Sequence, residues 1–218
     1  MKTIGIVISF IYVSVCIAQT DSVYTLPFPD GTTTSKGNTI DLTIANTSSL
    51  SAQNVSVSVA NIPDWLKFDT SKQTLSSVAG STEQTASFTF AVSKSAAVGK
   101  KQTLAFSISA NGQTWTKNIS VKVAPPASYQ LFQNYPNPFN PTTTISYQLS
   151  QPCHVDVRVY DILGREITSL VDERQDAGYY QKVFNAQRLA SGIYFERLIA
   201  TDGSNNKHVF KKKMLMIK

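Results

Sequence analysis

The stretch LFQNYPNPFNPTTTISY, residues 131–147, decides how the second half of the chain folds. Within it, each of three prolines fixes φ and removes a backbone donor, and each biases the residue before it away from the helical region: Pro136, Pro138 and Pro141. Residues 132–141, the proline loop, are therefore predicted to be extended, forming neither a helix nor a central strand. Strand chemistry starts at Thr142. We expect a rigid entry into a β domain, with Tyr135 and Phe139 as apolar pegs that cover its end.

Five blocks of the second half follow one another in the order of a known family: Asn134–Pro141, Val157–Glu166, Ala177–Tyr179, Leu189–Phe195 and Lys211–Lys218. Over residues 131–218 they resemble the C-terminal sorting domain of the type IX secretion system (type A). The resemblance implies recognition by the type IX translocon and sorting machinery, and export across a bacterial outer membrane. In the family this domain is commonly removed, and the cargo is attached to surface lipopolysaccharide or released. The matching positions here are Tyr135, Pro136, Asn137, Pro138, Phe139, Asn140, Pro141, Tyr160, Asp161, Gly164, Gly178, Gly192, Tyr194, Lys213 and Lys218.

Alternating apolar and polar residues predict the strands of this domain independently of the resemblance. They are Ile145–Leu149, Val155–Val159, Ile167–Val171, Tyr179–Phe184, Ile193–Ile199 and Val209–Ile217. Between the second and third, residues 161–165 form a predicted hairpin turn, in which Gly164 suits a positive φ.

The same alternation recurs in the first half, at Thr39–Ile44, Val55–Val59, Phe88–Val92, Leu104–Ile108 and Ile119–Val123. Several short strands separated by turn-rich gaps predict a β-sandwich. With Ile62–Phe68 and Ala96–Gly99, residues 36–123 resemble bacterial immunoglobulin-like modules of the kind appended to glycosidases and surface proteins. Such modules have many roles, so this resemblance concerns the fold.

The beginning of the chain is typical of a secretory signal peptide, with a basic start, an apolar run over Ile4–Ile17 and the small residue Ala18 at the expected cut. Cys16 raises the alternative of a lipidated cysteine, but Val15 stands where that signal has a small residue. Cleavage after Ala18 would leave Cys153 as the one cysteine, so no internal disulfide is expected.

We therefore predict an all-β protein with two tandem immunoglobulin-like or fibronectin-like sandwiches. The predicted divisions are a signal peptide (1–18), an immunoglobulin-like domain (19–123), a proline-rich linker (124–130) and the sorting domain (131–218). The expected location is extracellular or the outer-membrane surface, after periplasmic transit.

Composition and motifs argue against several functions. The net charge of +6 is spread along the chain apart from one cluster at Lys211–Lys213, and the sequence has neither the basic stripe nor the reading motif that nucleic-acid binding needs. Cys153 and His154 are adjacent in a predicted strand and would face opposite sides, so they form a poor catalytic pair. No metal-type His/Cys cluster, nucleophile elbow or phosphate-binding glycine loop occurs. The sequence thus predicts a protein that is not an enzyme and has no cofactor.

Three roles remain open for the first domain. A structural or adhesive module that binds an unknown protein or glycan fits a small secreted β domain best. A carbohydrate-binding accessory protein is the alternative, with Trp65 and Trp115 as ligand-binding residues, although aromatics in a sandwich usually fill its core or ends. A carboxylate-dependent hydrolase using Asp64, Asp69 and Glu83 is the less favoured alternative.

Overall fold

The computed structural model describes residues 3–10, 23–29 and 34–218, with backbone alone for residues 3–10 and 34–36. The described residues form strands and connections, and this part of the chain contains no helix long and apolar enough to cross a membrane. The chain divides into two compact units, Met1–Ala124 and Pro125–Lys218. The division falls inside the predicted linker, and the all-β prediction is confirmed.

The described residues of the first unit form two sheets. One has the order β1-β3-β7-β5, and the other has the order β2-β9-β8-β4-β6. Its strands are β1 (Thr3–Phe10), β2 (Val23–Leu26), β3 (Thr34–Asn46), β4 (Ala52–Ala60), β5 (Leu66–Phe68), β6 (Lys72–Val78), β7 (Thr82–Ser93), β8 (Gln102–Ala110) and β9 (Gln113–Val123).

The core of the first unit follows the predicted alternation. Inward positions of β7 and β8, such as Phe88, Phe90 and Phe106, are fully buried, while the residues between them are more exposed. The β8–β9 hairpin turns on Asn111-Gly112, both with positive φ, as a two-residue turn of this type requires.

Strand β1 lies within the predicted signal peptide and pairs in parallel with Thr39–Asn46 of β3. The proposed cut after Ala18, and Cys16 beside it, lie outside the described residues.

The second unit also has two sheets, with the orders β10-β11-β14 and β13-β12-β15-β16. Neighbouring strands in each of these sheets pair antiparallel. The strands are β10 (Gln130–Leu131), β11 (Thr142–Leu149), β12 (Cys153–Asp161), β13 (Glu166–Gln175), β14 (Gly178–Asn185), β15 (Gly192–Thr201) and β16 (Lys207–Met216).

Both sheets of the second unit contribute to one core, which includes Tyr147, Val157, Phe184, Leu198 and Met214. Burying this apolar surface, at roughly 25 cal/mol per Å², is the main stabilising term that can be assigned to the unit.

Cys153 points into the core of the second unit, while its neighbour His154 is exposed and lies 2.8 Å from Asp172. Burial raises the pKa of the Cys153 thiol. The prediction that these two residues face opposite sides of the strand is therefore confirmed.

A candidate sorting site where the proline loop meets the last strand

The proline loop closes the outer edge of β16. The Phe139 N–H donates to the Leu215 carbonyl at 2.9 Å, and the Ile217 N–H donates to the Phe139 carbonyl at 3.0 Å. The Asn137 side chain extends this pairing, because its Nδ2 donates to the Lys213 carbonyl at 3.3 Å and its Oδ1 accepts from the Leu215 N–H at 2.8 Å. An open strand edge would otherwise expose these groups to pairing with another chain.

Side chains inside the loop fix its path. Asn134 is buried, and its Nδ2 donates to Thr143 Oγ1 at 2.9 Å and to the Pro136 carbonyl at 3.1 Å. Thr143 Oγ1 donates to the same carbonyl at 2.8 Å. The Tyr135–Pro136 and Asn137–Pro138 peptide bonds are cis. Residues 136–138 and 140–141 form bends, so the loop is irregular rather than extended, while the prediction that it is neither a helix nor a central strand is confirmed.

The two side chains predicted to cover the end of the domain, Phe139 and Tyr135, differ in burial. Phe139 is 1% exposed and packs on Phe184, with ring centroids 6.1 Å apart. Tyr135 is 81% exposed, so the prediction that it covers the end of the domain is wrong. Its backbone pairs with Thr144 of β11, which leaves the ring in solvent.

The β12–β13 hairpin is organised around Asp161. Its Oδ1 accepts from the N–H groups of Leu163 and Arg165, each at 2.9 Å, and its Oδ2 accepts from Arg165 Nε at 2.7 Å. Gly164 has a φ of +78°, the conformation expected for it. Burial favours the neutral acid, but the hydrogen bonds outweigh it, so the pKa of Asp161 lies below its ordinary value. A fixed turn follows, with Ile162 and Leu163 at its tip.

Several matching positions gather near the same end of β15 and β16. In the strand register Asp161 lies opposite Tyr194, and Gly192 lies opposite Met216. The Tyr194 hydroxyl donates to the Ala190 carbonyl at 2.8 Å. The Lys213 carbonyl receives the bonds from the proline loop, and the Lys218 N–H donates to Ser191 Oγ at 3.0 Å.

Other matching positions lie apart from this group. Gly178 begins β14 and lies opposite Leu149, in the other sheet. Tyr160 faces Arg197, whose guanidinium carbon lies 4.6 Å from the ring centroid. Asn140, Pro136 and Pro138 are exposed in the loop.

Sequence reasoning missed Glu196, a fully buried acid on β15. Both of its carboxyl oxygens lack a hydrogen-bond partner. Burial raises the pKa of Glu196 to about 8, although the nearby Asn134 N–H and Lys212 favour the charged form. The alternation of inward Tyr194 and Leu198 around residue 196 was the available signal.

The structure does not bring the first unit's candidate ligand residues together. The Trp65 carbonyl accepts from the Ser93 N–H at the end of β7, whereas Trp115 lies near the start of β9 opposite Ile108. The connection that leaves β7 meets Val123, at the other end of β9. A single aromatic platform from both tryptophans is therefore not formed.

The candidate carboxylates of the first unit, Asp64, Asp69 and Glu83, are all exposed. Asp69 follows β5 and its N–H donates to the Thr89 carbonyl, while Glu83 on β7 lies opposite Ala45 on β3. The described part of the chain has no group of three or more His, Cys, Asp or Glu residues placed to hold a metal ion.

Replacing Asn137 with alanine is expected to destabilise the second unit by about 1 kcal/mol, because two side-chain hydrogen bonds to β16 are lost. The amide hydrogen of Leu215 should exchange faster with solvent, which NMR measures directly. Asn140→Ala, an exposed change in the same loop, is the control and should leave Leu215 exchange unchanged. Equal exchange rates of the Leu215 amide in Asn137→Ala and in the unaltered chain would contradict this role of the Asn137 side chain.

The comparisons with known proteins agree with this domain. A family model described as "Secretion system C-terminal sorting domain" matches residues 133–214. No curated protein matches the chain significantly.

Solved structures give weaker likenesses. CopC from Methylosinus trichosporium OB3b is 10% identical, over 40% of this chain and 92% of its own, with a TM-score of 0.31. Dimeric latent PorU from Porphyromonas gingivalis is 14% identical, over 76% of this chain and 16% of its own, with a TM-score of 0.35. CBD12 from CALX1.2 is 10% identical, over 84% of this chain and 80% of its own, with a TM-score of 0.32. None of these likenesses carries an activity or a ligand to this chain.

The sorting domain implies interaction with the type IX machinery and export to the cell surface or the extracellular space. Residues 133–214 are a type IX secretion C-terminal sorting domain, and the chain that carries it is a secreted protein exported by that system.

Proposed function

We propose that this chain is a non-enzymatic cargo whose second unit is its export signal and whose first unit is a structural or adhesive module. The observation that carries the export role is the family match over residues 133–214. The hydrogen bonds between the proline loop and β16 support this role, because they join the first and last blocks of the family pattern into one surface. The sorting machinery would contact that surface. Surface lipopolysaccharide would be the partner after processing.

The small size and the β-sandwich fold of the first unit are the basis for its proposed binding role. A small sandwich with exposed, separated carboxylates offers sheet faces and loops rather than a catalytic cleft. Its ligand would be a protein or a glycan. Because Trp65 and Trp115 lie on separate parts of the unit, sugar binding through both at once is not favoured.

Deleting residues 19–123, with residues 1–18 and 124–218 kept, tests the adhesive role. Bacteria carrying the shortened chain should export it but attach less to protein-coated and glycan-coated surfaces than bacteria with the full chain. Unchanged attachment, with both chains detected at the surface, would rule the adhesive role out.

We also propose that residues 1–18 are a cleaved signal peptide, which would remove β1 and leave β3 as the outer strand of its sheet. The exported protein should begin at Gln19, as determined by mass spectrometry of its N-terminal peptide. Ala18→Arg should block this cut, because the cleavage site needs a small residue. An exported chain that still starts at Met1 would contradict the proposal.

A further inference from the structure

Five exposed aliphatic side chains lie at one end of the β12-β15-β16 sheet. We name this group the tip patch; its members and their exposed fractions are Ile162 (67%), Leu163 (74%), Ile193 (37%), Leu215 (37%) and Ile217 (48%). Exposed clusters of apolar side chains on a secreted domain mark interaction surfaces more often than scattered single ones do.

The strand register explains why these residues are neighbours. Asp161 lies opposite Tyr194, so the turn at Ile162 and Leu163 projects past the level of Ile193. Ile193 lies directly opposite Leu215 on β16. Tyr194, Met214 and Met216 point into the core. Because successive strand residues face opposite sides, their neighbours Ile193, Leu215 and Ile217 point outward.

The fold does not need aliphatic residues at this turn. Asp161 holds the turn through backbone N–H groups and Arg165, and Gly164 supplies the positive φ. Polar side chains at positions 162 and 163 would keep all of these bonds. The apolar character of the tip therefore calls for a reason outside the fold.

The surroundings of the tip patch are basic. Lys211 and Lys213 are exposed on β16, and Lys218 is exposed just beyond its end. The acids nearby contribute little opposing charge: Asp161 is bound by Arg165, and Glu166 is bound by Arg158 at 2.8 Å. Glu196 is buried beneath the sheet.

Protruding aliphatic side chains within a basic rim match the chemistry of an anionic bilayer surface. Aliphatic groups enter the boundary between headgroups and acyl chains, while Lys and Arg are attracted to lipid phosphates. A protein partner would more often be met by exposed aromatic anchors. The aromatic side chains beside Ile162, Tyr160 and Phe195, are half-buried, and Arg197 covers the Tyr160 ring, so the protruding groups of the tip are aliphatic.

We propose that the tip patch docks the second unit onto an anionic membrane surface, with Ile162 and Leu163 entering the headgroup region and the basic rim facing lipid phosphates. The inference rests on the proposed export role for its place in the cell, where it would hold the cargo against the outer membrane that it must cross. Binding of the tip patch to lipid would not require the translocon.

Sedimentation of the full chain with lipid vesicles tests the proposal. The chain should bind vesicles of phosphatidylglycerol mixed with phosphatidylcholine, but not phosphatidylcholine alone, and salt should weaken binding. The Ile162→Ser/Leu163→Ser variant should bind at least about tenfold more weakly, since two aliphatic insertions are lost. Val183→Ser is the matched control, because Val183 is 68% exposed on β14 in the other sheet. Any contribution from residues 1–18 is the same in all variants.

A second pair of variants tests the basic rim. Lys211→Gln/Lys213→Gln should weaken binding to the anionic vesicles, whereas Lys182→Gln on β14 should not. Equal binding by the tip variant and the Val183→Ser control, or no binding by the unaltered chain, would overturn the proposal. The proposal would also be overturned if the chain does not bind vesicles but binds a translocon protein through Ile162 and Leu163. Export of the same variants is measured separately, so export without vesicle binding refutes the membrane inference alone.

Discussion

Phe139→Ala is expected to destabilise the second unit by about 3–5 kcal/mol, the range for truncating a buried aromatic side chain. The ring is 1% exposed and packs on Phe184 in the core. The Phe139 backbone also bonds to Leu215 and Ile217, so a cavity at this residue weakens the attachment of the proline loop to β16. The site that the sorting machinery would contact should loosen together with the core.

The measurement must separate the two units. Both tryptophans, Trp65 and Trp115, lie in the first unit, so tryptophan fluorescence does not report on the second. Hydrogen exchange followed by mass spectrometry, on peptides from β11 to β16 in increasing denaturant, reports on it. Tyr135→Ala removes an exposed ring from the same loop and should stay within about 0.5 kcal/mol of the unaltered chain. Equal losses in the two variants would show that Phe139 does not anchor the loop.

Glu196→Gln is expected to stabilise the second unit at pH 8 by a few kcal/mol and to remove most of its pH dependence between about pH 4.5 and pH 8. Burial raises the pKa of Glu196 from 4.5 to about 8. Between these values the folded chain keeps a proton that the unfolded chain has lost. The free energy of unfolding therefore falls as pH rises through this window, and it is highest below pH 4.5 as far as Glu196 is concerned.

The glutamine variant is a fair test because an amide resembles the protonated acid in size and cannot ionise. Unfolding free energies of the second unit at pH 5 and pH 8 should differ in the unaltered chain and nearly coincide in Glu196→Gln. Glu83→Gln, an exposed change in the first unit, is the control and should keep the full difference. The same difference in Glu196→Gln as in the unaltered chain would mean that another group titrates in this window.

Much of the fold follows from local patterns in the sequence. Alternation identified the long strands of both units, because one face of each is buried and the other is not. The hairpin at Asp161 and Gly164 followed from turn chemistry. Alternation did not predict strands β1, β2, β5, β6 and β10. Strand β1 lies in the predicted signal peptide, β2, β5 and β10 have four residues or fewer, and β6, KQTLSSV, has mostly small or polar residues at its alternate positions.

The candidate site was only partly predictable. The proline loop was expected to be extended, but its partner could not be inferred, because the bond from Asn137 to Leu215 joins residues 78 apart in sequence. The error at Tyr135 has a different and local reason: its backbone pairs with Thr144, and this pairing decides which way its side chain points. Glu196 falls at an inward position, yet a charged residue there contradicts the usual pattern of burial.

The most direct test of the export role compares the full chain with one that ends after Ser128, each expressed in a bacterium that has a type IX system. Cell fractionation with mass spectrometry of both ends of the protein locates each form. The account predicts that the full chain reaches the surface or the medium, while the shortened chain stays in the periplasm. Equal release of both forms would contradict it, because residues 129–218 would then not direct export.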